Sequence, residues 1–251
     1  MKNTELLSWL NQRLQPQLIK DYCPNGLQVE GKSKIQNIIT GVTACQALID
    51  AAIEHGADAL LVHHGFFWKS ENPAIVGMKY QRIKALIDNG INLYAYHLPL
   101  DVHPEFGNNS QLGKLLGLTD IHSVEAIKPE GVVMRGTSNI HTSVADFAKN
   151  VEQRLGRTPM VVGNLKRKIN QVAWCTGGGQ SFIEQAAEHG IDMFISGEIS
   201  EQTTHIAREL GIAYLSAGHH ATERYGIKAL GEVVARELAL DVSFIDIDNP
   251  V

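Results

Sequence analysis

The chain has 251 residues, of which 44% are hydrophobic and 20% are charged, and its formal net charge is -5. This composition is typical of an ordinary globular protein with a sizeable core, and the acidic balance argues against a surface that coats nucleic acid. No apolar run approaches the length of a membrane span. We therefore expect neither a membrane nor, given the acidic charge, nucleic acid as a partner.

The chain begins with a predicted helix whose apolar residues recur at helical spacing: Leu6, Trp9, Leu10 and Leu14. This stretch lacks the apolar block of a signal peptide, and a turn is predicted after it at residues 24–27. The cysteines Cys23, Cys45 and Cys175 are scattered and contain no Cys-x-x-Cys motif, which suits a reducing compartment. We therefore expect a cytoplasmic protein without a cysteine-based zinc site.

A βαβ unit is predicted next. Its first strand covers residues 35–42, its helix covers residues 46–55, and its second strand is the apolar run that ends at His63. A run without polar alternation is typical of a parallel strand that is covered on both faces.

Two imidazoles stand at the end of that second strand, in the motif His63-His64-Gly65. Ligands of open α/β sheets bind beyond the carboxyl ends of the strands. Adjacent residues of a strand point to opposite faces, so we expect the two rings to diverge and to suit two metal ions rather than one.

The second half of the chain repeats this unit. A shift of 134 residues gives nine identities over residues 34–64, among them Glu54-His55-Gly56 with Glu188-His189-Gly190 and Asp58 with Asp192. The period is far longer than that of a solenoid, so we predict two copies of one α/β lobe.

Each copy continues through a helix into a strand that ends near a histidine with an acid four residues later. The pairs are His97 with Asp101 and His219 with Glu223. His219 and Glu223 lie four apart at the start of the last predicted helix, so they share one helix face. A closing strand is predicted at residues 242–247.

Residues 119–165 differ from both copies and are predicted to be a small insert with short strands at 131–135 and 159–162. The insert contains His122 and His141 without acids at ligand spacing, so we assign it no chemistry. The expected fold class is α/β: two similar lobes, residues 1–118 and 166–251, that form one intertwined unit and face each other across a metal-containing cleft.

The candidate ligands contain imidazole and carboxylate groups but no thiolate, a set that suits divalent zinc, iron, manganese or nickel. They come from four separate elements: His63, His64, Asp101, His219 and Glu223. Two ions that share a bridging carboxylate can generate hydroxide near neutral pH, which makes hydrolysis the expected reaction class. His97 is the candidate catalytic residue, which orients a ligand or passes a proton.

Three further features have two interpretations each. The Gly-rich link at residues 175–180 either cradles a phosphate through backbone N–H groups or is a tight turn. Glu198 takes the place of His64 in the repeat, so it either points toward the site or lies in a solvent-exposed turn, and the exposed turn is favoured. The aromatic run Phe66 to Trp68 either stacks on a base or packs, and packing is favoured.

These motifs resemble the YbgI-like family of dinuclear metal-binding proteins, which are also named GTP cyclohydrolase 1 type 2 homologues. The resemblance covers nearly the whole chain, and its motifs occur in the family's order: Asn25 to Val29, His63 to Gly65, His97 to Asp101, Thr176 to Gln180, Ser196 to Glu198 and Gly218 to Glu223.

The resemblance implies two facing α/β lobes, a two-metal site in the cleft and a toroidal homohexamer, such as a trimer of dimers. It implies the same five metal ligands, with His97 close by and His220 outside the set. The chain is similar to the shorter members, since it has no room for a large extra domain between the lobes. GTP ring opening is not expected, because the enzyme class of similar name uses cysteines in its metal site.

Two functions are therefore open. The first is a metal-dependent hydrolase that acts on a small phosphorylated or nucleotide-like substrate through a metal-activated water. The second is a non-enzymatic metal-binding or metal-delivery protein. An open coordination position favours the first, whereas fast metal exchange without turnover favours the second.

Overall fold

The computed structural model describes residues 1–251 except for the side chains of residues 139–141, so the side chain of His141, to which no chemistry was assigned, lies outside the described part. The chain divides into two units. The first contains Met1–Leu100 and Ile227–Asp248, and the second contains Asp101–Gly226 and Asn249–Val251.

The helices include those that the sequence predicts. They are α1 (Asn3–Leu14), α2 (Gln46–Glu54), α3 (Gly77–Asp88), α4 (Leu98–Asp101), α5 (Asn108–Leu115), α6 (Val144–Leu155), α7 (Ile183–Ala187), α8 (Glu201–Leu210) and α9 (His219–Leu238). The last of these begins at His219, so His219 and Glu223 lie in its first turns, as the sequence predicts.

The first unit is built on a five-stranded sheet. Its strands are β1 (Gly26–Val29), β2 (Asn37–Thr43), β3 (Ala59–His64), β4 (Asn92–Ala95) and β11 (Asp241–Phe244), in the spatial order β1-β4-β3-β2-β11. Strand β3 is parallel to both of its neighbours and almost wholly buried, which confirms the interpretation of its apolar run. Helices α2 and α3 contribute Leu48 and Leu86 to the core over this sheet.

The second unit is built on a six-stranded sheet. Its strands are β5 (Leu118–Ser123), β6 (Met134–Ser143), β7 (Met160–Val162), β8 (Lys168–Cys175), β9 (Met193–Ser196) and β10 (Ala213–Ser216), in the spatial order β5-β6-β8-β9-β10-β7. Strands β8, β9 and β10 are parallel, and the remaining strands pair antiparallel. One core cluster centres on Trp174 and Val151, and the other on Phe194 and Tyr214.

The internal repeat has a structural counterpart in hydrogen bonds. One carboxylate oxygen of Asp58 accepts from the backbone N–H groups of residues 36 and 37 at 3.0 and 3.1 Å. Asp192, its equivalent, accepts from the N–H groups of residues 170 and 171 at 2.8 and 3.0 Å. An equivalent aspartate in each copy therefore links the first two parallel strands of that copy through hydrogen bonds.

The repeat also extends further than the sequence identities indicate. Strand β7 begins 134 residues after β1, and each pairs antiparallel with the third parallel strand of its copy. A strand within the predicted insert thus belongs to the repeat.

Two strands differ from the sequence-based expectation. The predicted turn at residues 24–27 is wrong in its second half, because Gly26 and Leu27 belong to β1. Strand β11 pairs in parallel with β2 of the first sheet, although it follows the second copy in the chain. The contacts also place residues 119–165 in the second unit. The predicted boundaries after residues 118 and 165 stay a prediction.

Candidate metal centre

Three histidines meet in the first unit. His63 and His64 end β3, and His97 follows β4, which is the neighbouring parallel strand. The ring centroids lie 4.4 Å apart for His63 and His64, 5.1 Å for His63 and His97, and 5.6 Å for His64 and His97. Each ring offers a nitrogen within 4.8 Å of the others, so the structure joins the candidate catalytic residue to two of the predicted ligands.

The expected divergence of His63 and His64 is wrong. Their rings are neighbours, tilted by 42°. Both residues lie within β3, so the pleat alone does not set the ring positions, which also depend on the hydrogen bond of each imidazole to a neighbouring segment.

Hydrogen bonds orient the imidazoles of this unit. Nδ1 of His63 lies 3.0 Å from the carbonyl oxygen of Tyr96, and Nδ1 of His64 lies 3.1 Å from the hydroxyl of Thr43. A carbonyl oxygen only accepts, so His63 carries its proton on Nδ1 and its lone pair on Nε2. This arrangement is typical of histidines that bind metals through Nε2.

His97 is oriented by a carboxylate that the sequence analysis missed. Its Nδ1 donates to Asp21 over 2.9 Å, and its backbone N–H donates to the side chain of Asn25 over 2.7 Å. Burial acts to raise the pKa of Asp21, but hydrogen bonds from His97 and Asn25 outweigh it and lower the pKa to about 2. Asp21 is therefore a carboxylate at neutral pH, and it keeps the lone pair of neutral His97 on Nε2.

Cys23 lies near this pair, so Asp21, Cys23 and His97 form a second group of the kind that can hold a metal ion. However, the Asp21 carboxylate already accepts several bonds, from Tyr22 N, Asn25 Nδ2, His97 Nδ1 and Leu98 N at 2.6 to 3.0 Å. A metal ion would displace these donors, so we interpret Asp21 as a support for His97.

Three of the predicted ligands meet in the second unit. Asp101 ends α4, and the buried carboxylates of Asp101 and Glu223 offer oxygens within 4.8 Å of each other. Nε2 of His219 lies 3.2 Å from Oε2 of Glu223. Asn108 braces this group, because its amide donates to Asp101 over 2.9 Å and accepts from the backbone N–H of Gly226 over 2.9 Å.

Glu198 also belongs to this group and points toward the site, which was the less favoured interpretation, although its side chain is 39% exposed. Its Oε1 lies 2.7 Å from Nδ1 of His219. Burial acts to lower the pKa of His219, but the hydrogen bonds and charges of Glu223 and Glu198 outweigh it and raise the pKa to about 9. Without a metal ion, this imidazole is therefore charged at neutral pH, and a proton and a metal ion compete for its Nε2.

The Gly-rich link packs directly against these ligands. A Cβ atom at Gly177 would lie 2.1 Å from Oε1 of Glu223 and 3.0 Å from Nε2 of His219. The backbone N–H of Gly177 donates to the hydroxyl of Thr222 over 3.0 Å, and its carbonyl accepts from the hydroxyl of Ser196 over 3.0 Å. Carboxylates surround the link, so the tight-turn interpretation is favoured over a phosphate cradle.

The donor chemistry of both groups fits divalent metal ions. Imidazole nitrogens and carboxylate oxygens suit zinc, iron, manganese and nickel. Two buried carboxylates as close as those of Asp101 and Glu223 are stable as anions only where positive charge balances them. Protonated His219 supplies part of that charge in the absence of a metal ion, and a bound divalent ion would supply it instead.

Sequence reasoning missed Asp21 and the bracing residue Asn108, and it underrated Glu198. The repeat contained the signal for Glu198, because it aligns this residue with His64. No local pattern marks Asp21, whose partner lies 76 residues further along the chain.

The fold and these groups define a mixed α/β protein whose histidine, aspartate and glutamate clusters could hold metal ions. The chain belongs to the Duf34/NIF3 (NGG1p interacting factor 3) family, whose model matches residues 1–250. The predicted resemblance is thereby confirmed. Within the described residues, no helix combines the length and the apolar character needed to cross a membrane.

Similar proteins cover the whole chain. GTP cyclohydrolase 1 type 2 homologs from Vibrio cholerae and Escherichia coli are 58% and 55% identical, with full coverage of both chains. A solved structure described as protein ybgI, of unknown function, is 54% identical with a TM-score of 0.96 and full coverage of both chains. Reduced HcgD from Methanocaldococcus jannaschii is 26% identical, with a TM-score of 0.85 over 98% of each chain.

Proposed function

We propose that this protein is a dinuclear metal-binding protein and that it acts as a metal-dependent hydrolase. The proposed ligands of two divalent ions are His63, His64, Asp101, His219 and Glu223. The observation that carries the proposal is the pair of buried carboxylates, Asp101 and Glu223, with oxygens within 4.8 Å of each other and an imidazole 3.2 Å from one of them.

The proposed substrate is a small phosphorylated or nucleotide-like molecule. Divalent ions held by these ligands would supply Lewis acidity and would lower the pKa of water toward neutral, which would favour hydroxide as the nucleophile. His97 accepts or donates a proton at Nε2, because Asp21 holds the other proton on Nδ1. Glu198 orients the His219 ring in the same way.

The decisive experiment is the metal content per chain of the wild type and of Glu223→Ala, followed by a hydrolysis screen over phosphate esters and nucleotides. We expect about two ions in the wild type, fewer than half of that in the variant, and metal-dependent turnover in the wild type alone.

Glu201→Ala is the matched control. Glu201 also lies four residues from a histidine on a helix, His205, but both side chains are exposed and 4.0 Å apart. The control should keep its metal and its activity. A metal-free wild type, or Glu223→Ala with full metal content, would contradict the proposed centre.

The second candidate is a metal-binding or metal-delivery protein without turnover. It is supported by the same ligand groups, since nothing in the donor set requires a reaction. Two ions per chain, exchange of labelled metal within seconds and no hydrolysis of any substrate would favour it over the hydrolase.

We also propose that the protein works in the cytoplasm as a homohexameric ring. The scattered cysteines support the compartment. The ring is supported by the resemblance of the motifs to the YbgI-like proteins.

A further inference from the structure

Two aromatic rings lie beside His97 in the first unit. The Tyr22 ring centroid lies 5.4 Å from that of the imidazole, at an interplanar angle of 60°. The Trp68 ring lies 5.0 Å away and meets the imidazole edge to face at 89°, and it also lies 5.9 Å from the ring of His64. Both aromatics thus adjoin the histidine cluster directly.

The two loops that carry these rings are fastened to each other. The backbone N–H of Lys69 donates to the carbonyl of Tyr22 over 2.9 Å, and the Lys69 ammonium donates to the carbonyl of Asp21 over 2.7 Å. The Asp21 carboxylate accepts from the backbone N–H of Tyr22 over 2.6 Å. The same carboxylate therefore orients His97 and holds the backbone that presents Tyr22.

Tyr22 is much more exposed to solvent than the tyrosines that pack in the core. Its exposed fraction is 54%, whereas Tyr94, Tyr96 and Tyr214 are wholly buried. Phe66, from the aromatic run after the histidines, is buried as the packing interpretation predicts. A ring that is held by its backbone yet presented to solvent is suited to contact a ligand.

We propose that Tyr22 and Trp68 form a subsite that binds a planar heteroaromatic ring of the substrate next to His97. Aromatic faces stack on any planar ring, whatever hydrogen-bonding groups that ring carries. The inference rests on the proposed function. In that function the phosphoryl group of the substrate lies at the metal ions, and the aromatic subsite would select substrates that also contain a planar ring.

The test compares ligands with and without a planar ring. Metal-loaded wild type, Tyr22→Leu, Tyr22→Phe and Trp68→Leu are titrated with GMP, AMP and UMP, and with ribose 5-phosphate as the ligand that lacks a base. We expect the wild type to bind the nucleotides at least about tenfold more tightly than ribose 5-phosphate. Tyr22→Leu should lose about tenfold in nucleotide affinity, Tyr22→Phe should keep it, and the affinity for ribose 5-phosphate should be the same in all of them.

Tyr80→Leu is the matched control, since Tyr80 is 49% exposed in the same unit. It should bind all ligands as the wild type does. If Trp68→Leu does not fold, the Tyr22 series decides alone.

Two outcomes would overturn the inference: a wild type that binds nucleotides no better than ribose 5-phosphate, or a Tyr22→Leu variant that keeps full nucleotide affinity. Metal content, measured on the same samples, separates this failure from failure of the proposed function. About two ions per chain without any preference for the ring would leave the metal centre in place and remove only the subsite.

Discussion

In both units, a histidine that follows a parallel strand donates its Nδ1 proton to a carboxylate. His97 pairs with Asp21 over 2.9 Å, and His219 pairs with Glu198 over 2.7 Å. The two histidines hold corresponding places in the repeat, but Asp21 precedes β1 whereas Glu198 follows β9. Because the carboxylates come from different places in the repeat, we attribute their recurrence to the chemistry that the imidazoles require.

The close approach of Gly177 to Glu223 leads to a prediction about a single methyl group. Gly177→Ala would place a Cβ 2.1 Å from the Glu223 carboxylate, so we expect that carboxylate to move and the metal content to fall by more than half. The variant should also lose about 1 kcal/mol of unfolding free energy, because Gly177 has a φ of +62°. Metal content per chain and urea unfolding of the metal-free protein measure the two effects.

Gly190→Ala separates backbone strain from the clash with the ligands. Gly190 has a similar φ of +69°, and nothing lies within 4 Å of its Cβ position. It should lose a comparable unfolding free energy and keep its metal. Equal metal content in the two alanine variants would show that the turn does not position Glu223.

At the scale of the elements, Asp58 and Asp192 link the first two parallel strands of their copies through equivalent hydrogen bonds. Burial acts to raise the pKa of each carboxyl, but several hydrogen bonds outweigh it and lower the pKa below the usual 3.8. For Asp58 these bonds come from Lys32 and two backbone N–H groups, and for Asp192 they come from two backbone N–H groups and Arg167. Each carboxylate thus neutralises a cation and binds two adjacent backbone groups.

These lowered pKa values predict how stability depends on pH. A carboxyl whose pKa is lower in the folded state stabilises the fold above its unfolded pKa, and this contribution is lost as the pH falls through the folded value. We expect Asp58→Asn and Asp192→Asn each to lower the unfolding free energy by about 1 kcal/mol at pH 6. The difference from the wild type should shrink as the pH falls below about 3.8.

Urea unfolding at pH 6, 4 and 3 checks this expectation. Asp248→Asn is the control, since Asp248 is exposed. It should match the wild type at every pH. A difference between Asp58→Asn and the wild type that stays constant down to pH 3 would show that the charge of Asp58 does not stabilise the fold.

The elements that could be predicted from the sequence are those with a strong local pattern. The apolar run of β3 and the helix that stops before Gly56 each depend on residues near one another in the chain, and the repeat is found by comparing the two halves of the sequence. Strand β1 has only four residues after a turn, and the pairing of β11 with β2 joins residues about 200 positions apart. For the same reason the ligand types at strand ends were predictable, whereas Asp21, the partner of His97, was not.

At the scale of the whole molecule, the proposed ligands come from both units. His63 and His64 belong to the first, and Asp101, His219 and Glu223 belong to the second. We expect His64→Ala and Glu223→Ala each to lower the metal content per chain, because each variant removes one proposed ligand. Metal content of the two variants beside that of the wild type measures this. A variant that keeps the full metal content would remove its residue from the ligand set.

Native mass spectrometry tests the proposed ring and its metal content in one measurement. Six chains of 27.5 kDa give a mass of about 165 kDa, and two ions per chain add about twelve ions to the assembly. The expected result is that mass for the wild type and a hexamer with fewer ions for Glu223→Ala, because a ligand substitution at a buried site leaves the outer surface unchanged. A mass near 27.5 kDa with two ions would contradict the ring alone. A metal-free hexamer would contradict the metal centre alone, so the two proposals can fail separately.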